Sequence, residues 1–355
     1  MKICYLNHDL NETTGAGRFC LALTAALKKL IPDFDYRVLT HEDQTLPENK
    51  LALLFALPKI RNIFRDYDII HALDGWPYGV MAALGSLGLK KKLVITAIGT
   101  GAIQPLYNFW KRPLLKWAYR KADAVTAVSN NTKKEILKVM PDLQIGVINH
   151  GVDSEKFKNQ NSKFKIIEDY KPYILSVGAL KKRKGLDYSV QALAEIAQHF
   201  PDLKYVIVGD GPEKENLQLL ITNYQLQKRV IFLKNLSEQE LVALYKNAEL
   251  FILLPQDDHK DIEGFGLVFL EAAAAGLPVV ATKDSSAEDA ILDGKNGFLV
   301  PAKDSQKIAE ALSKILSDPQ LKKELSENSL EFAKSMNWEK VAKQYLNIYE
   351  DVIHN

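Results

Sequence analysis

The feature that most constrains this chain is an alternation that runs through it twice: short apolar, β-branched runs separated by stretches of helical periodicity. The first series lies at 2–7 (KICYLN), 36–40, 68–73, 93–98, 124–128 and 145–149, and the second at 173–177, 204–208, 230–233, 250–254, 278–281 and 298–300. Strands that alternate with helices form parallel sheets, because a crossover helix brings the chain back to start a parallel neighbour. A chain of 355 residues also exceeds the roughly 250–300 residues that one core sustains. The pattern therefore predicts two doubly wound α/β domains. A polar stretch at 154–171 reads as the linker, and 337–353 reads as an amphipathic helix. The expected division is an N-terminal domain over 1–155, a second over 172–335, and a C-terminal helix over 336–355 that crosses back to the first.

Composition removes several other classes. With 47% hydrophobic residues the chain is globular, and a net charge of +2 gives no overall case for nucleic acid. The two cysteines, Cys4 and Cys20, fall in apolar positions and suit buried thiols in a reducing cytosol better than a disulfide framework. Neither an N-terminal h-region nor a long uninterrupted apolar run occurs, so a cytoplasmic protein is expected.

The small net charge conceals an asymmetry. Residues 1–165 hold 24 Lys and Arg against 15 Asp and Glu, a net of +9, which leaves 22 against 29, a net of −7, for the rest. The basic excess lies between 50 and 134, where Lys90–Lys92, Lys111, Arg112, Lys116, Arg120 and Lys121 mix with Phe109, Trp110, Trp117 and Tyr119. Such a mixture suits either a solvated helix face or an anionic membrane surface, the second implying a peripheral position on the inner face of the cytoplasmic membrane.

Open α/β sheets bind ligands at the carboxyl ends of their strands, so the loops after strands carry the chemistry. The densest signal is Glu263-Gly264-Phe265-Gly266-Leu267-Val268-Phe269-Leu270-Glu271, followed by AAAAGLPVVAT. Two glycines after the strand at 250–254 allow a tight entry into a helix whose first amides are unpaired, an anion site. Glu263 precedes that helix, and Glu271 falls about two turns inside it in an otherwise apolar run, where an unpaired charge would be costly. Thr14-Gly15-Ala16-Gly17-Arg18 opens the first helix of the chain. A nicotinamide fingerprint would want Gly or Ala where Cys20 stands.

The E-x7-E segment with its alanine-glycine continuation resembles the retaining GT-B enzymes of glycosyltransferase family 4. Val177-Gly178-Ala179-Leu180 with Lys184-Gly185, Val208-Gly209-Asp210-Gly211-Pro212, Ile148-Asn149-His150-Gly151-Val152-Asp153 and GKNGFLVP at 294–301 are similar to other motifs of that family, in order and spacing. The resemblance spans nearly the whole chain. It implies a GT-B fold, two Rossmann-like domains facing across a cleft, and transfer of a sugar from a nucleotide-diphosphate sugar with retention of configuration. It further implies that Lys184 and Arg183 neutralise the donor diphosphate and that Glu263 holds the donor sugar. Gly15, Ala16, Gly17, Gly178, Gly264, Phe265, Gly266 and Leu267 would line the donor, Glu271 would bind its ribose, and Asn235 and Leu236 would meet the base. A UDP- or GDP-sugar is the expected donor, with no cofactor or metal required.

The sequence departs from the family at two places. Ala179 stands where the phosphate turn usually has Arg, a loss that Arg183 can cover, and Ile98 stands where the family has a histidine beside the donor sugar. On the acceptor side, Asp74 and Trp76 follow the third strand, and a carboxylate with an aromatic plane suits a carbohydrate or a polar lipid head. Asp33-Phe34-Asp35 and Asp66-Tyr67-Asp68 precede their strands, and Asp257-Asp258-His259 with Asp261 reads as solvated acid, so none is expected to hold a metal. The expected partners are a nucleotide sugar and a carbohydrate or lipid-linked hydroxyl acceptor. A non-catalytic nucleotide-sugar binder, an epimerase or a phosphorylase on the same scaffold remain as alternatives.

Overall fold

The computed structural model describes residues 1–12, 14–42, 45–47, 52–158, 168–256 and 261–354. These fall into two compact units, the first within Met1–Gly151, His259–Phe265 and Trp338–Asn355, the second within Val152–Asp258 and Gly266–Asn337. Each unit is built on a six-stranded parallel sheet. Its strands are β1 (Lys2–Leu6), β2 (Asp35–Leu39), β3 (Ile69–Ala72), β4 (Lys92–Ala97), β5 (Ala124–Ala127) and β6 (Gly146–Val147) in the first unit. The second has β7 (Tyr173–Val177), β8 (Lys204–Val208), β9 (Val230–Leu233), β10 (Leu250–Ile252), β11 (Val279–Thr282) and β12 (Gly297–Val300). Each of the twelve sequence runs overlaps one strand, and both units are Rossmann-like.

The sheets differ in order: β2-β1-β3-β4-β5-β6 against β12-β11-β10-β7-β8-β9. In the first, strand order reverses between β1 and β3, and in the second between β7 and β10. A switch of this kind splays two loops apart at the strand ends and leaves a crevice there. The central strands are apolar on both faces, as helices on both sides of a parallel sheet require; β3 (IIHA) and β7 (YILSV) are buried throughout.

Buried polar side chains interrupt that apolarity, and one group of them organises the first unit. His71, in the middle of β3, is fully buried and hydrogen-bonds Tyr349 Oη through Nδ1 and Thr96 Oγ1 through Nε2, both at 2.8 Å. Tyr5 Oη meets Tyr349 Oη at 3.0 Å, and Tyr345 Oη meets Thr96 at 3.2 Å. Burial holds the His71 pKa down to about 3, so the imidazole stays neutral. Tyr345 and Tyr349 come from the Trp338–His354 helix, whose buried face also carries Val341, Ala342 and Val352. This face packs with Phe19, Leu23 and Leu27 of the Gly15–Leu30 helix, so the end of the chain closes the core of its beginning.

The chain passes between units at Gly151–Val152. The described part of the polar stretch 154–171 lies in the second unit. Phe157, in the short Glu155–Lys158 helix, is buried with its ring 6.0 Å from Tyr245. Residues 159–167 lie outside the described residues. Cys4 and Cys20 are buried and not joined in a disulfide, and burial pushes the Cys20 thiol up to about 12. Among the described residues no helix is long and apolar enough to cross a membrane.

Candidate active site

In the second unit the turns after β7 and β8 pack backbone against backbone. Gly178 and Gly209 have φ of +148° and +149°, and a Cβ on Gly209 would stand 2.0 Å from the Gly178 carbonyl oxygen. At Gly211, φ +157°, a Cβ would stand 2.6 Å from the Leu180 carbonyl oxygen. Only glycine tolerates both the conformation and the approach. The Gly178 amide donates to Val208 O and the Leu180 amide to Asp210 O, each at 2.9 Å. Lys184 ends the short 3-10 helix Lys182–Lys184 and is 6% exposed; a Cβ on Gly178 would meet its Nζ at 3.6 Å, so the ammonium lies over the glycine turn. The exposed Lys182 is paired with Asp187 at 2.5 Å, and Arg183 is half-buried.

The loop after β10 is tied to this turn across the switch point. The Leu254 amide donates to Lys184 O at 3.2 Å and the Gln256 amide to Arg183 O at 2.7 Å. After the loop, Gly266 takes a left-handed conformation (φ +80°) and enters the Leu267–Ala274 helix with no side-chain cap. The first amides of that helix are therefore available to an anion. The helix begins later than the glycines suggested, so Glu271 lies just over one turn inside it rather than two. Glu271 is 8% exposed and accepts the Tyr245 hydroxyl at 3.1 Å, which accounts for a carboxylate in this apolar run. Asn235, left-handed at φ +55°, and the half-buried Leu236 follow β9. At about 4.8 Å per strand they lie roughly 10 Å from the β7 turn.

In the first unit a second polar group assembles around the ends of β1, β3 and β4. Thr14 caps the Gly15–Leu30 helix by accepting the Gly17 amide at 3.0 Å while donating to Asp9 Oδ1 at 2.6 Å. A Cβ on Gly17 would stand 2.2 Å from Asn11 O, whereas Gly15 is open and Ala16 is half-buried. Asp74 follows β3 and is half-buried. Burial raises its pKa to about 7, against the opposing donation of the Gly75 and Ile98 amides. Gly101 packs so closely that its Cβ would meet Asp74 Oδ2 at 2.0 Å. Trp76 Nε1 is buried without a hydrogen-bond partner.

The segment 261–265 belongs to this unit and brackets Glu263. Thr100 Oγ1 donates to Ile262 O at 3.1 Å, and Ser129 Oγ donates to Gly264 O at 2.6 Å. A Cβ on Gly264 would stand 1.8 Å from Ile98 O. Ile98 thus engages Asp74 through its amide and borders Gly264 through its carbonyl, whatever its side chain. Phe265 lies 4.9 Å from the His150 ring. The structure therefore brings Lys184, Arg183 and Gly178 together in one unit, with Gly266, Leu267 and Glu271 in the same unit. Asp74, Ile98, Glu263 and Gly264 meet in the other.

Three buried polar atoms at strand ends escaped the sequence reading: Asn7 Oδ1 after β1, Gln256 Nε2 after β10 and Ser286 Oγ after β11, each without a hydrogen-bond partner. Their only sequence signal is a polar residue just past a strand. Asp35 and Asp68, from the two D-x-D runs, bind the Lys2 side chain (3.1 Å) and its amide (2.8 Å) at the opposite end of the sheet. Asp257, Asp258 and His259 lie outside the described residues. Among the described residues no His, Cys, Asp and Glu cluster could hold a metal ion.

Two Rossmann-like units with glycine-built turns at the strand ends define the GT-B class of glycosyltransferase. The chain belongs to glycosyltransferase family 4: residues 13–156 match the family described as Glycosyltransferase Family 4, and residues 157–332 match Glycosyl transferases group 1. It is 30% identical over 298 residues to a GDP-mannose-dependent alpha-(1-6)-phosphatidylinositol monomannoside mannosyltransferase of Mycolicibacterium smegmatis, covering 80% of this chain and 76% of that one. It is 29% identical over 347 residues to N-acetyl-alpha-D-glucosaminyl L-malate synthase of Bacillus anthracis, covering 93% and 87%. Among solved structures, Anabaena HepE in complex with UDP superposes with a TM-score of 0.80 at 22% identity, over 99% of this chain and 100% of that one. The chain is a glycosyltransferase.

Proposed function

We propose that the protein transfers a hexosyl group from a UDP- or GDP-sugar to a hydroxyl acceptor, a carbohydrate or lipid-linked precursor of the cell envelope, with retention of configuration. Residues 172–335, apart from the segment 261–265 that belongs to the first unit, would form the donor domain, residues 1–155 the acceptor domain, and 336–355 the helix that completes the acceptor domain. The observation that carries this reading is the buried Lys184 held over the Gly178 turn at the switch point of the second sheet. An ammonium there, with Arg183 and the uncapped amides from Gly266 onward, would stabilise the charge that grows on a departing diphosphate. Asn235 and Leu236, after β9, would meet the base, and Glu271 would serve the ribose.

In front-face transfer the acceptor hydroxyl attacks the anomeric carbon on the side from which the diphosphate leaves. The C–O bond to the acceptor forms as the C–O bond to the diphosphate breaks, and the hydroxyl proton passes to a phosphate oxygen. No protein nucleophile is needed, and catalysis is electrostatic and positional. Glu263 would hold the donor sugar from its braced segment, the loop Gly15, Ala16 and Gly17 would close on the diphosphate, and Asp74 with Trp76 Nε1 would orient the acceptor. The relatives named for GDP-mannose and for an L-malate acceptor support the chemistry but diverge on both substrates. No metal or cofactor is invoked. The deciding experiment is a panel of UDP-, GDP- and ADP-sugars with saccharide and lipid acceptors, read by nucleotide release and by the anomeric coupling of the product. Acceptor-dependent release with retained configuration is expected. Inversion would refute the mechanism, and binding without release would favour the non-catalytic binder that Ala179 and Ile98 allow.

A further inference from the structure

The basic, aromatic-rich region of the first unit is resolved by the fold into two ends. β3 and β4 pair in parallel with Ile69 opposite Lys92, so Lys90–Lys92 stand where strands begin. There Lys91 Nζ donates to Arg65 O at 2.9 Å and Lys92 pairs with Asp123 at 3.7 Å. The helix Arg112–Lys121 runs back toward that end before β5, and its ten residues span about 15 Å. Arg120 and Lys121 therefore belong with Lys90–Lys92. The start of the helix lies at the other end, beside Asp74 and Trp76, since Lys111 Nζ is 5.6 Å from the Trp76 ring centroid.

That end carries an apolar tip. Phe109 and Trp110 are 77% and 81% exposed, and Leu114, four residues past Trp110, is 43% exposed. The two rings meet edge to face at 5.2 Å, and Asn108 Oδ1 accepts the amides of Trp110 and Lys111 at 3.1 Å, so the tip is a fixed turn. Phe55, 86% exposed, begins the Ala52–Phe64 helix that descends toward β3, which puts it at the same end of the sheet. Around the tip stand Lys111, Arg112 and Lys116. From Gly75 to Ala122 the sequence holds eight Lys and Arg and no Asp or Glu.

We propose that the Phe109–Trp110 tip docks the acceptor end of the first unit onto an anionic lipid bilayer, presenting a lipid-linked acceptor to the site; this rests on the transferase reading above. Two adjacent exposed aromatics on a rigid turn match the preference of Trp and Phe for the membrane interface, and the cations beside them match its charge. A soluble saccharide platform would be expected to carry carboxylates beside its rings, and none occurs in this segment.

The test is partition of the full chain onto phosphatidylglycerol–phosphatidylcholine vesicles and onto phosphatidylcholine alone, at low and physiological salt. Wild type is expected to bind the anionic vesicles. Phe109→Ser/Trp110→Ser should lose binding at least roughly tenfold. Lys111→Gln/Arg112→Gln should lose roughly fivefold per charge, and only on the anionic vesicles. The thermal midpoint of the aromatic variant should not move, because Phe109 and Trp110 are exposed. Failure of wild type to bind at low salt, or unchanged binding by the aromatic variant, overturns the proposal. So does a raised KM of that variant for a vesicle-free saccharide with vesicle binding intact. Nucleotide release without vesicles reports separately on the transferase reading, which could fail while the vesicle result stands.

Discussion

The two units use one architecture to different ends. In the second sheet the turns after β7 and β8 press backbone on backbone, and beside them the switch between β7 and β10 holds a buried lysine and an uncapped helix start. In the first, the switch between β1 and β3 is crowded with side chains: Asp9 and Thr14 on one side, Asp74 on the other, with the segment 261–265 laid over the end of β4. The second unit's arrangement suits an anion that brings its own charge, because amides and an ammonium need only be exposed to it. The first unit's arrangement suits hydroxyl groups, which need acceptors and donors fixed in advance. The difference teaches that strand order locates a site while loop composition decides what it takes.

The sharpest break of this contrast is at Gly209. Gly209→Ala forces a Cβ against Gly178 O in a conformation that alanine rarely adopts. We expect about 3 kcal/mol of destabilisation confined to the second unit, read as loss of amide-exchange protection there and not in the first unit.

Acid should act the other way. His71 and His150 are buried in the first unit with pKa values lowered to about 3 by burial. An unfolded histidine takes a proton below about pH 6.5 and these do not. Stability present above that pH is therefore lost as pH falls from 6.5 toward 3, by about 2 kcal/mol per histidine at pH 5. Asp74 opposes this: its raised pKa makes the folded state hold a proton between about pH 4 and 7, a stabilisation lost as pH rises through 7. Calorimetry at pH 7.5 and 5 should show the first unit weakening relative to the second, and Asp74→Asn should steepen that loss.

Smaller effects test the details. Tyr349→Phe strips the partner from His71 Nδ1 and should cost the first unit about 1–3 kcal/mol, with the nucleotide affinity unchanged. Ile98→Ala removes a side chain whose backbone does the bridging; about 1 kcal/mol of stability and a change in turnover under about threefold are expected.

Much of this was legible in the sequence. The twelve apolar runs each overlap one strand, because burial on both faces leaves an uninterrupted apolar signature. Ends were less legible. β10 stops at Ile252 although the run continues to Leu254, since the Leu254 amide turns to Lys184 O instead of continuing the strand. Glu271 could be singled out as a carboxylate among alanines, but its partner Tyr245 lies 26 residues away on another helix. The contrast between Lys90–Lys92 and Lys111 was invisible, because similar basic clusters reach opposite ends of a sheet through helix direction. Asn7, Gln256 and Ser286 look like ordinary turn residues until one buried atom in each side chain, Oδ1, Nε2 and Oγ, is seen to lack a hydrogen-bond partner.

The most direct measurement pairs two variants, Lys184→Ala and Glu263→Gln, in nucleotide titration calorimetry and in donor turnover. Lys184→Ala should bind UDP or GDP roughly tenfold to a hundredfold more weakly. Glu263→Gln should bind the nucleotide as wild type does and turn over roughly a hundredfold more slowly. Wild-type nucleotide affinity in Lys184→Ala, or wild-type turnover in Glu263→Gln, would contradict the division of labour between the two units.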